Sequence, residues 1–406
     1  MKNIELLAPA GDLEKLRYAL HYGADAVYMA GEAFGLRQQA KNFTREEMKL
    51  ALKEAHSLGK KLYLVLNIIP HNEDLRELRL YLEDIKELAF DAYILSDPGT
   101  LLLVREILGD VEIHLSTQAN TTNALSARFW HSQGVKRIIL ARELSLVEIK
   151  EIVEANKDLD LDFEIFVHGA MCISYSGRCL ISNFLTGRDA NKGDCAQSCR
   201  WNYHLMEERR PGEYFPVFED EKGTYLYNSK DLCGIDLLKE ILDTGVVSLK
   251  IEGRNKSIYY VASIVRAYKE GLRRLEKGQA LNSEDLFDDI NRVSHRDFTQ
   301  GFFLRKPTEE DQLYEARTYV RTADFLAVVL DYDEKTKYAK LEQRNKFELG
   351  DQVEFIGPDY KTYATCVQEL FDKDWKPLES APHPQQILYI YSEQKLQPMD
   401  LMRKKF

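Results

Sequence analysis

Short apolar runs rich in β-branched residues recur through the first part of the chain, and amphipathic helical patterns separate them. This alternation restricts the fold more than any other feature. The runs are Ile4–Ala8, Asp25–Ala30, Lys61–Leu66, Ala92–Ser96, Val111–Ser116, Arg137–Ala141, Phe163–His168 and Val246–Ile251. Several helix starts between them are readable. Thr44-Arg-Glu-Glu47 and Ser145-Leu-Val-Glu148 have the form of capping boxes, in which the hydroxyl accepts from the third backbone N–H and the Glu reaches back. Asp12 can cap a helix carrying Leu13, Leu16, Ala19 and Leu20, which Gly23 can end. Asn72 can open a helix with Leu75, Leu78, Leu82 and Ile85 on one face. Eight β-α units in roughly 250 residues match the count and size of a (β/α)₈ TIM-like barrel. The competitor, a doubly wound sheet, would carry a glycine fingerprint after its first strand, and none is present.

Active sites of such barrels lie at the C-terminal ends of the strands. Polar residues gather there: Asn67, Asp97, Ser116, Thr117, Gln118 and Asn120, then Arg142, Glu143, His168, Glu252 and Arg254. Each alone is an ordinary cap or loop residue; their occurrence at matching ends is the signal. His168, Asn67, Gln118 and Glu252 are the candidate catalytic groups.

The seventh and eighth strands are joined by about 169–245, far more than an ordinary loop. This insertion holds Cys172, Cys179, Cys195, Cys199 and Cys233, five of the six cysteines; Cys366 lies apart. Hairpin-like segments at Trp201–Met206, Tyr214–Phe218 and Tyr225–Tyr227, with a turn at Lys222-Gly223, would lie over the barrel mouth. No apolar run is long enough to span a membrane, and the first residues are too short in their apolar part for a signal peptide. A cytoplasmic location is expected, where thiols stay reduced and a disulfide framework is disfavoured. Four thiolates can hold an iron–sulfur cluster or a structural Zn²⁺. Zinc sites more typically use CxxC knuckles, which this chain lacks. The plain alternative is buried, inert thiols.

Hydrolase signatures are missing: there is neither an HExxH helix nor a GxSxG elbow. Cys172 with His168 could form a nucleophile–base pair, but that leaves the other thiols without a role. The formal net charge of −11 argues against indiscriminate nucleic-acid binding and permits one local basic groove. Residues 1–280 are expected to form the barrel and 281–314 a linker or helical segment. Residues 315–406 should form a small antiparallel β-barrel domain, from runs at Phe325–Leu330, Tyr338–Glu342, Gln352–Ile356, Tyr363–Glu369 and Gln386–Ser392. Arg403-Lys-Lys-Phe406 reads as a solvated basic tail.

The segment Glu164-Ile-Phe-Val-His-Gly-Ala-Met-Cys-Ile-Ser-Tyr-Ser-Gly-Arg-Cys-Leu-Ile-Ser182 resembles the signature of the U32 "peptidase" family, also called collagenase-like. So do Leu7-Ala-Pro-Ala-Gly-Asp12, Gly23-Ala-Asp-Ala-Val-Tyr28, Ser116-Thr-Gln118, Arg142-Glu-Leu-Ser145, Cys195-Ala-Gln-Ser-Cys-Arg200, Asn228-Ser-Lys-Asp-Leu232 and Leu249-Lys-Ile-Glu-Gly-Arg254. The resemblance covers nearly the whole chain. It implies one of several activities. Some members are called proteases. Others support hydroxylation without molecular oxygen: of wobble uridine in tRNA to 5-hydroxyuridine, dependent on prephenate; of a ribosomal RNA cytidine; or in ubiquinone synthesis, by a pair of proteins holding a [4Fe-4S] cluster on four cysteines. Length and the extra domain look most like the larger tRNA-hydroxylation type, which in some bacteria works beside a shorter paralogue. Carried over, the cluster ligands would be Cys172, Cys179, Cys195 and Cys233, with Cys199 the alternative and Zn²⁺ the alternative metal. Arg37, Arg142, Lys230 and Arg254 would hold an acidic donor such as prephenate. Tyr175, Trp201 and Tyr203 could stack an unpaired base. The competing readings are peptidase activity, hydroxylation of another RNA or small molecule, and a scaffold that uses a metal-stabilised lid to present a partner surface.

Overall fold

The computed structural model describes residues 4–32, 34–35, 41–172, 174–203, 219–220, 223–225, 229–306 and 319–406. All eight expected strands are present, as β1 (Glu5–Pro9), β2 (Ala26–Met29), β3 (Lys61–Leu66), β4 (Ala92–Leu95), β5 (Ile113–Leu115), β6 (Arg137–Ile139), β7 (Asp162–Ala170) and β8 (Ser248–Ile251). They pair in parallel in sequence order, and β8 also pairs with both β1 and β7, which closes the barrel. Helices α1 (Leu13–His21), α2 (Arg45–Ser57), α3 (Asn72–Ile85), α4 (Pro98–Leu108), α5 (Ala124–Ser132) and α6 (Leu146–Ala155) fill the crossovers, and α7 (Ile258–Glu276) follows β8.

The local chemistry explains the helix starts. Thr44 and Ser145 form complete capping boxes with Glu47 and Glu148, and the Asp12 carboxylate accepts from Lys15 N. The helix expected from Asn72 starts there, but His71 occupies the capping position. The apolar outer faces of the strands and the inner faces of the helices form one core. The barrel interior is different, because its N-terminal half is filled by charge. Glu164 is fully buried, with Lys250 Nζ at 3.1 Å and Arg137 Nη1 at 3.3 Å. Arg137 also pairs with Glu5, and Ser248 Oγ lies within hydrogen-bond distance of both Glu5 (3.1 Å) and Glu164 (3.0 Å), either of which can accept its one proton. Burial alone would raise the Glu164 pKa, but Lys250 and Arg137 hold it below the usual range.

The segment expected as a linker or helical segment contains a helix and also adds a short strand to the barrel sheet. After α8 (Ser283–Ile290), the short strand Phe298–Thr299 pairs with Asp231–Cys233, which pairs antiparallel with β7. Buried Arg296 is bidentate on buried Asp231, with Nη2 at 2.6 Å and Nε at 3.0 Å from Oδ1.

The C-terminal domain is a seven-stranded antiparallel sheet wrapped round its own core. Its strands are β9 (Ala323–Asp333), β10 (Tyr338–Gln343), β11 (Gln352–Ile356), β12 (Thr362–Cys366), β13 (Leu370–Asp372), β14 (Ile387–Tyr391) and β15 (Leu401–Lys405). The supposed basic tail is thus β15, which lies between β9 and β11 and pairs with both. Arg403 is fully buried: its guanidinium contacts Asp289 of α8 at 2.6 Å and Glu354 of β11 at 3.0 Å. Asp289 also holds Arg266 of α7 at 2.8 Å, so one carboxylate ties both domains together. Among the described residues no helix is long and apolar enough to cross a membrane.

Candidate active site

Two connected cavities occupy the C-terminal mouth of the barrel. The lower one, about 90 Å³, lies inside the barrel between Tyr28, Asn67, Phe166, Lys250, Glu252 and Arg254. The upper one, about 320 Å³, lies between the β7–β8 insertion and the loop after β8. Gln118, Arg142, Ser176 and Glu252 line both, so the chambers communicate.

Four cysteines face the upper chamber: Cys172, Cys179, Cys195 and Cys199. Burial pushes the Cys199 thiol up to about 11; Arg200 opposes the shift, and thiols 172, 195 and 179 add to it. Of the four, Cys172 is exposed and the other three are half-buried. Among the described residues, no three His, Cys, Asp or Glu side chains are close enough to hold a single ion.

Cys233, carried over as the fourth ligand, does not reach this chamber. It is buried in the short strand Asp231–Cys233 and lines a separate groove with Phe287 and Phe298. Burial raises its thiol to about 12. Cys199, the alternative from the CxxxC pair, lines the chamber together with Cys172, Cys179 and Cys195.

His168 is also placed elsewhere. Along β7, Glu164 and Phe166 point into the barrel, so alternation would send His168 inward as well. A β-bulge intervenes: Lys250 pairs with Phe166 but Ile251 pairs with His168, which skips one residue. The ring therefore packs among Tyr260, Tyr268 and Phe298, outside the barrel. Burial lowers its pKa to about 3, and its Nε2 has no hydrogen-bond partner among the described residues.

The remaining candidates sort clearly. Asn67 donates to Ser116 Oγ (3.3 Å), which donates to Gln118 Oε1 (3.2 Å). Glu252 accepts from Gly253 N (2.9 Å) and Tyr28 Oη (3.2 Å) at the junction of the chambers. Arg142 donates to Ala170 O (3.0 Å) and Ser176 Oγ (2.9 Å), which joins the mouth to the cysteine loop. Asn120, in the left-handed region at φ 52°, donates to Ser176 O (3.1 Å) and pins the same loop. Gly177 has φ +73°, and a Cβ there would lie 3.2 Å from that of Gln118, so the loop seats directly on the catalytic floor. Buried Arg254 bonds Asn42 and faces the lower chamber. Half-buried Lys230 lines neither chamber, and Arg37 and the Tyr203 side chain lie outside the described residues. Tyr175 lines the upper chamber, and half-exposed Trp201 follows the Cys199 turn.

One prominent residue was not singled out from the sequence. Lys250 enters the lower chamber with its ammonium 4.4 Å from the Tyr28 ring centroid. Its signal was parity on β8: Ser248 and Lys250 both point inward, toward Glu164.

A closed β/α barrel whose polar mouth is roofed by a cysteine-lined insertion has the layout of a barrel enzyme. The comparisons then give the family. The model for peptidase family U32 matches residues 11–313, and that for the U32 C-terminal domain matches 321–403. The chain belongs to peptidase family U32. It is 39% identical to a Bacillus subtilis protein named tRNA hydroxylation protein P1, over 99% of this chain and 95% of that one. It is 39% identical to an Escherichia coli 23S rRNA 5-hydroxycytidine synthase, over 66% of this chain and 39% of that one. It is 29% identical to a Porphyromonas gingivalis protein named collagenase, over 98% of this chain and 97% of that one.

Proposed function

We propose that the chain is an RNA-modifying enzyme that supports oxygen-independent hydroxylation of wobble uridine in tRNA. The observation that carries this reading is the shared wall of the two chambers, which sets four thiols directly over a polar barrel mouth. The names of the relatives that align over most of this chain point to RNA hydroxylation.

The donor set fits an iron–sulfur cluster. Four cysteines line one chamber, thiolates are the ordinary ligands of such clusters, and the CxxC knuckles more typical of zinc sites are missing. On this reading Cys172, Cys179, Cys195 and Cys199 hold a [4Fe-4S] cluster, which when bound supplies one-electron chemistry. The lower chamber accepts the small acidic donor, of the prephenate kind. Arg142, Arg254 and Lys250 offer cations for its carboxylates, and Phe166 and Tyr28 form its apolar walls. Glu252 Oε2, fixed by Gly253 N and Tyr28, is placed to take or return a proton at the junction. Asn67 and Gln118 orient the ligand by hydrogen bonds.

A Cys172–His168 protease pair finds no support in this geometry, because the His168 ring packs against α7 on the outer side of β7.

The test is mass spectrometry of tRNA nucleosides from cells lacking this chain and any close paralogue, with and without the chain restored. Appearance of 5-hydroxyuridine or its derivatives only on restoration is expected. An unchanged profile would remove tRNA as the substrate.

A further inference from the structure

The outward face of the C-terminal sheet carries a feature that the barrel chemistry does not use. On β10, β13 and β14 the residues alternate between core and surface. Leu341, Leu370, Leu388 and Ile390 enter the domain core. The opposite face of such a sheet normally reads polar, yet here it presents Tyr338, Phe371, Tyr389 and Tyr391. In register, Tyr338 is opposite Tyr391, and Tyr389 lies between Lys340 and Phe371.

Trp375 folds back over this row. Its indole lies on Tyr389 with centroids 4.4 Å apart and planes 15° apart, and the Tyr338 ring meets its edge at 5.1 Å and 87°. Its backbone has φ 60°, the left-handed region that a bulky side chain avoids. The turn enforces it: Asp372 N donates to Lys376 O (2.9 Å), and the Asp372 carboxylate accepts from Asp374 N (2.8 Å) and Lys376 N (2.9 Å). In spite of this bracing, Trp375 is 50% exposed. One face of the indole is stacked on Tyr389, Tyr338 and Phe371 lie within 6 Å of it, and half of the residue remains exposed to solvent.

We infer that this stack is a docking ledge for unpaired bases of the RNA substrate, remote from the reactive chamber. The inference rests on the RNA reading above. A rigid, half-exposed indole is suited to stacking a splayed base, whereas a protein hot spot sits in a desolvated pocket. The charges agree. Lys340, Lys373 and Lys376 lie beside the ledge, and among the described residues none is in an ion pair. Two nearby carboxylates are occupied: Asp372 by its turn and Glu369 by the Tyr338 hydroxyl. Asp374, Glu379 and Glu393 are exposed acids in the adjoining segments.

The test uses the full chain and measures affinity for an RNA stem-loop and for a fully paired RNA of equal length. Trp375→Ala should weaken stem-loop binding about 5- to 150-fold, the range for losing one stacked base. It should leave duplex binding little changed, and Trp375→Phe should retain most of the affinity. Equal affinity of the Trp375→Ala and unaltered chains for the stem-loop would overturn the ledge. So would an equal loss for both RNAs, or a dimer in sedimentation that only Trp375→Ala dissolves. If nucleoside analysis shows no hydroxylation but Trp375→Ala still loses the stem-loop, the ledge stands and the catalytic reading falls. Normal hydroxylation with unchanged stem-loop binding removes the ledge alone.

Discussion

A histidine held neutral in an apolar enclosure makes the fold sensitive to mild acid. Burial lowers the pKa of His168 to about 3, from about 6.5 for a free imidazole. The unfolded chain therefore takes up the proton first, and stability falls as pH drops from about 6.5 toward 3, by at most about 1.4 kcal/mol per pH unit. His168→Gln should flatten the dependence of melting temperature on pH over that window; parallel curves for the two proteins would refute it. The four chamber thiols give a second residue-scale prediction. Cys199→Ala should lose iron and sulfide after anaerobic reconstitution, whereas Cys233→Ala should keep them, and the reverse pattern would return the fourth ligand to Cys233. Asn67, Gln118, Arg142, Glu252 and Arg254 were legible at the mouth because a barrel places strand ends together. His168 was not: one bulge reverses side-chain direction, and nothing in Val167-His168-Gly169 announces it. Lys250 was hidden because a lysine in an apolar strand gives no sign of the Glu164 that pairs with it.

Single elements depend on contacts made elsewhere in the chain. The eight barrel strands could be read because each has to be apolar on its helix-facing side. β15 could not, because Leu401–Lys405 ends in charges and its burial is made possible by carboxylates on α8 and β11. Arg403→Leu should destabilise the protein by about 3–5 kcal/mol, because Asp289 and Glu354 lose a buried counter-charge; urea titration measures it. A loss under about 1 kcal/mol would mean that β15 is held by its backbone pairing alone. The cysteine loop depends on Gly177. Gly177→Ala places a Cβ in the left-handed region against Gln118 and should loosen the roof. Faster alkylation of Cys179 and Cys195, with the melting temperature nearly unchanged, is the expected readout, and unaltered alkylation would argue against it.

The whole molecule behaves as a barrel with a second domain fastened along one side. Asp289 accepts Arg266 from the barrel helix and Arg403 from the sheet, and Tyr22 Oη donates to Ile356 O (2.9 Å) across the same seam. Tyr259 stacks on Phe325 at 5.4 Å with planes 5° apart. The unmodified chain should therefore melt in one calorimetric transition, and Asp289→Ala should split it in two; a single peak in that variant would mean that apolar packing alone couples the domains.

Closure of the barrel also fixes an order of events in folding. The seam joins Glu5 to Ser248, 243 residues apart along the chain, while every other neighbouring pair from β1 to β7 is separated by one crossover. Contacts that distant form late, because the loop they close must first lose its freedom. The cysteine insertion lies inside that loop, so the roof is still open to solvent while β2 to β6 are already paired. The roof over the barrel mouth is therefore completed only with the slowest contact in the chain, and a change that weakens the Glu5–Ser248 seam should delay the roof more than it delays the pairing of β1 to β7.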